Sequence, residues 1–80
     1  LYRLKFDPSA EVVFDSLPPH VSEELTLALA DACYDPLGTT RSYGEADDVM
    51  RTVVTEHAQV VLLVGHTLKT ITVLQVGHLG

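Results

Sequence analysis

The last third of the chain, Asp48 to Gly80, constrains the fold most. It holds three apolar runs separated by two breaks short enough for hairpins. The runs lie near Val49 to Thr55, Ala58 to Val64, and Lys69 to His78; the breaks fall at Glu56-His57 and at Gly65-His66-Thr67-Leu68. Such a run of strands predicts an antiparallel meander. In a chain of 80 residues it must be covered by what precedes it, because a domain this small buries only roughly 60% of its unfolded surface. The triplet Val-Gly-His occurs twice, at Val64-Gly65-His66 and Val76-Gly77-His78, with no repeat around it.

The first half supplies that cover. Tyr2, Leu4 and Phe6 alternate with Arg3, Lys5 and Asp7, the period of a strand with one face on a core. Asp7 is a good helix N-cap and Pro8 suits a first helical position, so a short helix is expected over Ser9 to Ser16. Pro18-Pro19 stops it. A second helix, Pro19 to Tyr34, aligns Val21, Leu25, Ala28, Leu29 and Ala32 along one stripe. It ends at Asp35-Pro36, since a residue before proline is pushed out of helical conformation. Leu37 to Asp47 has no sustained period and is expected to be a loop with at most a short strand. The reading is one α+β domain spanning 1–80, ordered β-α-α-β-β-β, with an antiparallel sheet and both helices on one face. Strict alternation places Tyr2, Leu4, Phe6, Val60, Leu62, Val64, Leu74 and Val76 on the core side of the sheet. Val13, Phe14, Leu17, Val21, Leu25 and Leu29 face them from the helices.

Charge narrows the partners. Five Lys plus Arg against eleven Asp plus Glu give a net charge of −6, which repels a polyanion unless a local basic patch outweighs it. The cations are Arg3, Lys5, Arg41, Arg51 and Lys69; of these Arg3, Lys5 and Arg51 are candidates to converge in the sheet. Hydrophobic residues make up 46% and the mean hydropathy is +0.20, so some apolar surface is expected to be covered by another chain. No apolar run approaches the roughly 18 residues of a membrane span. Cys33 stands alone, which excludes an intrachain disulfide; a cytoplasmic protein is expected.

Taken in order, several segments carry a family resemblance: Tyr2-Arg3-Leu4-Lys5-Phe6 at the opening, Leu17-Pro18 between the helices, Asp35-Pro36 after the second helix, and Arg51 opening the next strand. Ile71-Thr72-Val73-Leu74-Gln75-Val76-Gly77-His78 closes it. With this order and spacing the chain resembles the RelE/ParE toxin superfamily of bacterial toxin-antitoxin systems. The resemblance implies a small sheet with helices on one face and a concave opposite face, which in active members holds messenger RNA in the ribosomal A site. Arg51 matches a basic residue of active members, and His78 matches the His or Lys of their closing Gly-His-Arg or Gly-Lys-Arg. Gln59 stands where the arginine of a Tyr-Arg pair is usual, and Leu79 where the arginine after His78 would be. The chain ends at Gly80, so the further tyrosine or histidine of ribosome-dependent members is not expected here. Losing one preorganised donor to a charged transition state costs on the order of 10²- to 10³-fold in rate. Two such positions are altered.

Other chemistry finds little support. His20, His57, His66 and His78 show no HxH, HxxxH or cysteine-pair spacing, so no metal site is expected. Cys33 near a helix C-terminus reads as structural, because the dipole there disfavours a thiolate. Glu56-His57 reads as a pair of solvated turn residues. No Gly-rich phosphate loop is present, and no cofactor is expected.

The functional expectation is therefore a RelE/ParE-like protein with an impaired site, acting by binding an antitoxin-like protein or a second copy of itself as a dimer. An mRNA interferase using Arg51, Arg41 and His78 is the alternative, with gyrase inhibition a third class. The binding surface is read from alternation as Gln59, Val61, Leu63, Ile71, Val73 and Gln75, with Arg51 and Val53 on the neighbouring strand.

Overall fold

The computed structural model describes residues 1–45 and 47–79. Ala46 of the expected loop and the terminal Gly80 lie outside the described residues. The elements are β1 (Arg3–Phe6), α1 (Pro8–Asp15), α2 (Pro19–Tyr34), β2 (Arg41–Ser42), β3 (Met50–Val54), β4 (Ala58–Gly65) and β5 (Thr70–His78). They form one five-stranded sheet in the order β1-β5-β4-β3-β2, covered by the two helices. The sheet is mixed. β2 to β5 are antiparallel neighbours as expected, whereas β1 pairs with β5 in parallel, from Arg3 opposite Thr70 to Phe6 opposite Val73.

Local chemistry sets the helix limits. The Asp7 carboxylate accepts hydrogen bonds from the Ser9 backbone N–H at 3.3 Å and the Ser9 hydroxyl at 2.5 Å, and Pro8 occupies the first turn. α2 starts directly on Pro19 with no side-chain cap. At its far end Asp35 turns the chain: its carbonyl accepts from the Thr39 N–H and its carboxylate from the Gly38 N–H. Gly44, at φ +76°, occupies the left-handed region between β2 and β3, where a side chain would be strained.

The core forms where α2 lies on the sheet. Val21, Leu25, Leu29, Ala32 and Cys33, spaced by three, four or one, bury one helix stripe against Val53, Ala58, Val60, Leu62, Val64, Ile71 and Val73. Ala10 and Leu17 join from the α1 side, and Phe6 meets Phe14 with ring centroids 5.0 Å apart. At about 25 cal/mol per Å² of apolar area, each buried Leu, Ile or Val contributes roughly 1.5–3 kcal/mol.

Expectations about side-chain direction are corrected at five residues. Ile71 and Val73 are fully buried in the core rather than outward, because a bulge in β5 breaks the alternation. Val73 pairs with Leu62 and Gln75 with Val61, leaving Leu74 as the extra residue, so both Val73 and Val76 face the helices. Val53 also packs in the core, opposite Val60. Phe6 on the edge strand β1 and Tyr2 just before it pack against the core while Leu4 is exposed, and on α1 Val13 is exposed with Ala10 buried instead.

Candidate functional site

The sheet face turned away from the core follows from the registers. Lys5 pairs with Thr72, Thr72 with Leu63, Gln75 with Val61, Val61 with Thr52, and Thr52 with Arg41. Side chains of directly paired residues share a face. The centre of this open face is therefore Thr52, Gln59, Val61, Leu63, Thr72 and Gln75. All are uncharged. Cations stand only at its two edges, Arg3 and Lys5 on β1 and Arg41 on β2, separated by four strand spacings, or about 19 Å.

A cavity of about 370 Å³ opens at one end of this face, where β1 has stopped and α1 borders β5. Ser9 and Val13 form one wall, Gln59 and Val61 the floor, Leu74 to Gly77 a side, and Tyr43 closes it from the loop after β2. The bulge shapes this wall, since Leu74, unpaired on β4, lines the cavity. Within the face, Thr52 donates its hydroxyl to the Val60 carbonyl at 2.8 Å, and the Gln59 amide reaches the Thr52 hydroxyl at 3.5 Å.

Arg51 lies on the other side of the sheet, opposite Leu62, and is buried. Its guanidinium donates from Nε to the Thr40 hydroxyl at 2.9 Å, and from Nη1 to the Ser42 hydroxyl at 3.1 Å and the Asp47 carbonyl at 3.0 Å. Nη2 donates to the carbonyls of Leu37 at 3.3 Å and Thr40 at 2.9 Å. A guanidinium has five N–H donors, so the five bonds engage its full capacity. Arg51 thus ties the segment after α2 to β3. The Asp47 carboxylate completes this structure by accepting the N–H groups of Val49 at 2.9 Å and Met50 at 2.7 Å. Those bonds, Met50 first, hold the Asp47 carboxyl below its ordinary range.

His78 is exposed near the end of β5, opposite Ala58. Ala58 and Leu62 are four residues apart on β4, so Arg51 and His78 are separated by about 13 Å along the strands as well as lying on opposite sides of β4. The structure does not bring them to one point. Nor do Arg3, Lys5 and Arg51 converge: β1 and β3 are separated by β5 and β4, and Arg51 faces the helices. Of the residues read as a binding surface, Gln59, Val61 and Leu63 lie on the open face, while Val53, Ile71 and Val73 belong to the core. Tyr43 and Leu74 are additions that the sequence did not single out as site residues. The first lies in a segment without periodicity, and the second acquires its position from the bulge.

No protein-family model matches the chain, and no curated protein matches it in sequence. Solved structures do. The isolated E. coli RelE toxin superposes with a TM-score of 0.85 at 22% identity, covering 100% of this chain and 86% of that one. The chain has the RelE fold. RelBE2, a toxin-antitoxin complex from Mycobacterium tuberculosis, gives a TM-score of 0.81 at 18% identity over 96% of this chain and 90% of that one. The archaeal RelE-RelB complex from Pyrococcus horikoshii gives 0.77 at 19% identity over 99% and 96%. In this RelE fold the helices cover one face of the sheet and leave the neutral face and its cavity open.

Proposed function

We propose that the chain is the toxin-fold member of a toxin-antitoxin pair, that it acts by binding an antitoxin-like protein, and that its catalytic site is impaired. The first part is supported by the fold and by solved neighbours that are complexes of RelE with RelB. The observation that carries the rest is Gln59. It lies on the central strand at the cavity end of the open face, where the resemblance puts an arginine, and it offers a neutral amide held against Thr52. Arg51 is committed to the Leu37–Asp47 segment and does not reach that face. RNA cleavage through the 2′-hydroxyl needs positive charge at the phosphorane-like transition state, and the middle of this face supplies none.

A protein partner suits the same surface better. Leu63, Leu74 and the wall of α1, over the buried Val61, give an apolar strip, and Arg3, Lys5 and Arg41 frame it with charges for an acidic peptide. Induced expression in a bacterial host tests the reading. Continued growth with intact messages is expected. Arrest with cleaved messages would establish the interferase instead, and arrest with a DNA-damage response would establish gyrase inhibition. A monodisperse dimer of the chain alone, lost in Leu63→Glu, would assign the face to self-association rather than to an antitoxin.

A further inference from the structure

Away from the open face, two pairs of metal-ligating side chains meet that are far apart in sequence. His20 and Glu24 stand one turn apart on α2, positions that share a helix face, and Glu56-His57 forms the tip of the β3–β4 hairpin. The His57 ring meets the His20 ring edge-on at 5.3 Å between centroids. Its Nδ1 lies 3.7 Å from Glu24 Oε2, and its Nε2 lies 4.0 Å from Glu56 Oε1. One ligand atom from each of Glu24, Glu56 and His57 falls within 4.8 Å of the others.

His57 Nδ1 is shielded from water and has no hydrogen-bond partner. A gap of 3.7 Å to Glu24 is too long for a hydrogen bond. It is close to the roughly 3.3 Å that separates two ligands on a tetrahedral ion with bonds of about 2.0–2.1 Å. The second carboxylate oxygen is anchored: the His57 N–H donates to Glu24 Oε1 at 3.4 Å. Such a partner orients a ligand. The Glu56 side chain is exposed and free to swing toward the same point.

We propose that Glu24, Glu56 and His57 bind a divalent transition-metal ion of the zinc class, with the His20 ring packed edge-on against His57. Imidazole with carboxylates favours such an ion over magnesium or calcium, which take all-oxygen sets. The ion fastens α2, whose start has no side-chain cap, to the β3–β4 hairpin. This assignment does not rest on the toxin-antitoxin reading.

Calorimetric titration of the metal-stripped chain with ZnCl₂ tests it, alongside MgCl₂ and thermal melts. One zinc ion per chain, a raised melting temperature and no response to magnesium are expected. Glu56→Gln alters only an exposed hairpin tip and should weaken zinc by roughly tenfold or more, as should His57→Gln. The double variant His66→Gln/His78→Gln should bind like the parent. Tetrahedral Co²⁺ absorption in the parent, lost in Glu56→Gln, reads the site without depending on stability. Absence of saturable binding, or Glu24→Gln and Glu56→Gln variants that bind zinc as the parent does, would overturn the proposal. Equal loss in the His66/His78 variant would place the ion elsewhere and overturn it too.

Discussion

Arg51 holds Thr40 twice, donating from Nε to its hydroxyl and from Nη2 to its carbonyl, both at 2.9 Å. A residue that the family resemblance offers for catalysis is here a clamp between β3 and the segment that follows α2. Truncating it strands the buried Thr40 and the Leu37 and Asp47 carbonyls. Arg51→Met is expected to cost about 2–3 kcal/mol in urea unfolding, the penalty of unsatisfied buried groups. Arg51→Lys should recover only part of this, since an ammonium cannot reproduce the planar fork. A loss below about 0.5 kcal/mol in Arg51→Met would show that the clamp does not hold the segment.

The bulge at Leu74 makes a sharper claim about which β5 residues matter. Ile71→Lys places a charge in the core beside Val64 and should leave little folded protein by circular dichroism. Leu63→Lys, on the open face, should change stability by no more than about 0.5 kcal/mol. Deleting Leu74 should be tolerated in register, because Val73, Gln75 and Val76 then meet Leu62, Val61 and Val60 in regular succession. Unfolding of the Leu74 deletion with survival of Ile71→Lys would reverse the assignment of the faces.

The same residue explains how far the sequence could be read. The helices were legible because Asp7-Pro8, Pro18-Pro19 and Asp35-Pro36 punctuate them chemically, and the Val21, Leu25, Leu29 stripe leaves one burial face. β4 was legible too, with Val60, Leu62 and Val64 on the core side. β5 was misread up to its middle and read correctly beyond it: Ile71-Thr72-Val73-Leu74-Gln75-Val76 is apolar enough on both parities that alternation alone chooses between faces, and a single extra residue reverses the choice. The parallel pairing of β1 with β5 left no local trace, since register across a long crossover is set by packing. Arg51 likewise reads as a free cation until the segment that wraps it is in place. The meeting of His20 and Glu24 with Glu56-His57 depends on tertiary docking of a hairpin on a helix, which no sequence spacing reports.

Asp47 gives a pH dependence with a definite sign. Its carboxylate, lowered by the Met50 and Val49 N–H groups, contributes stability that is complete above the ordinary value of 3.8 and is lost as pH falls through the lower folded value. Urea midpoints measured from pH 5 downward should fall for the parent more steeply than for Asp47→Asn, whose amide oxygen still accepts but does not titrate. Identical slopes would mean that the bonds to Val49 and Met50 are not kept in solution.

Cys33 provides a reporter for opening of the core. It is buried against the sheet, and burial pushes its thiol upward, so the thiolate is scarce at neutral pH. Alkylation by iodoacetamide should be slow in buffer and rapid in denaturant. Rapid alkylation of the native chain would show that α2 detaches from the sheet far more readily than its packing implies.

The last prediction concerns nucleic acid. With a net charge of −6 and cations only at the two edges of the open face, RNA should bind weakly and be lost steeply with salt, because phosphate neutralisation supplies most non-specific affinity. A labelled oligonucleotide titrated at physiological salt measures this. Gln59→Arg adds a guanidinium on the central strand β4, at the cavity end of the face, one same-face residue pair beyond the Arg41–Thr52–Val61 row. One added phosphate contact should steepen the dependence of log K on log salt by about 1 and tighten binding across sequences alike. The added charge should not restore cleavage, since Leu79 still offers no donor and His78 stands apart from Arg51. Micromolar binding by the parent at physiological salt, or message cleavage by Gln59→Arg alone, would show that the remaining cations already form a working RNA site.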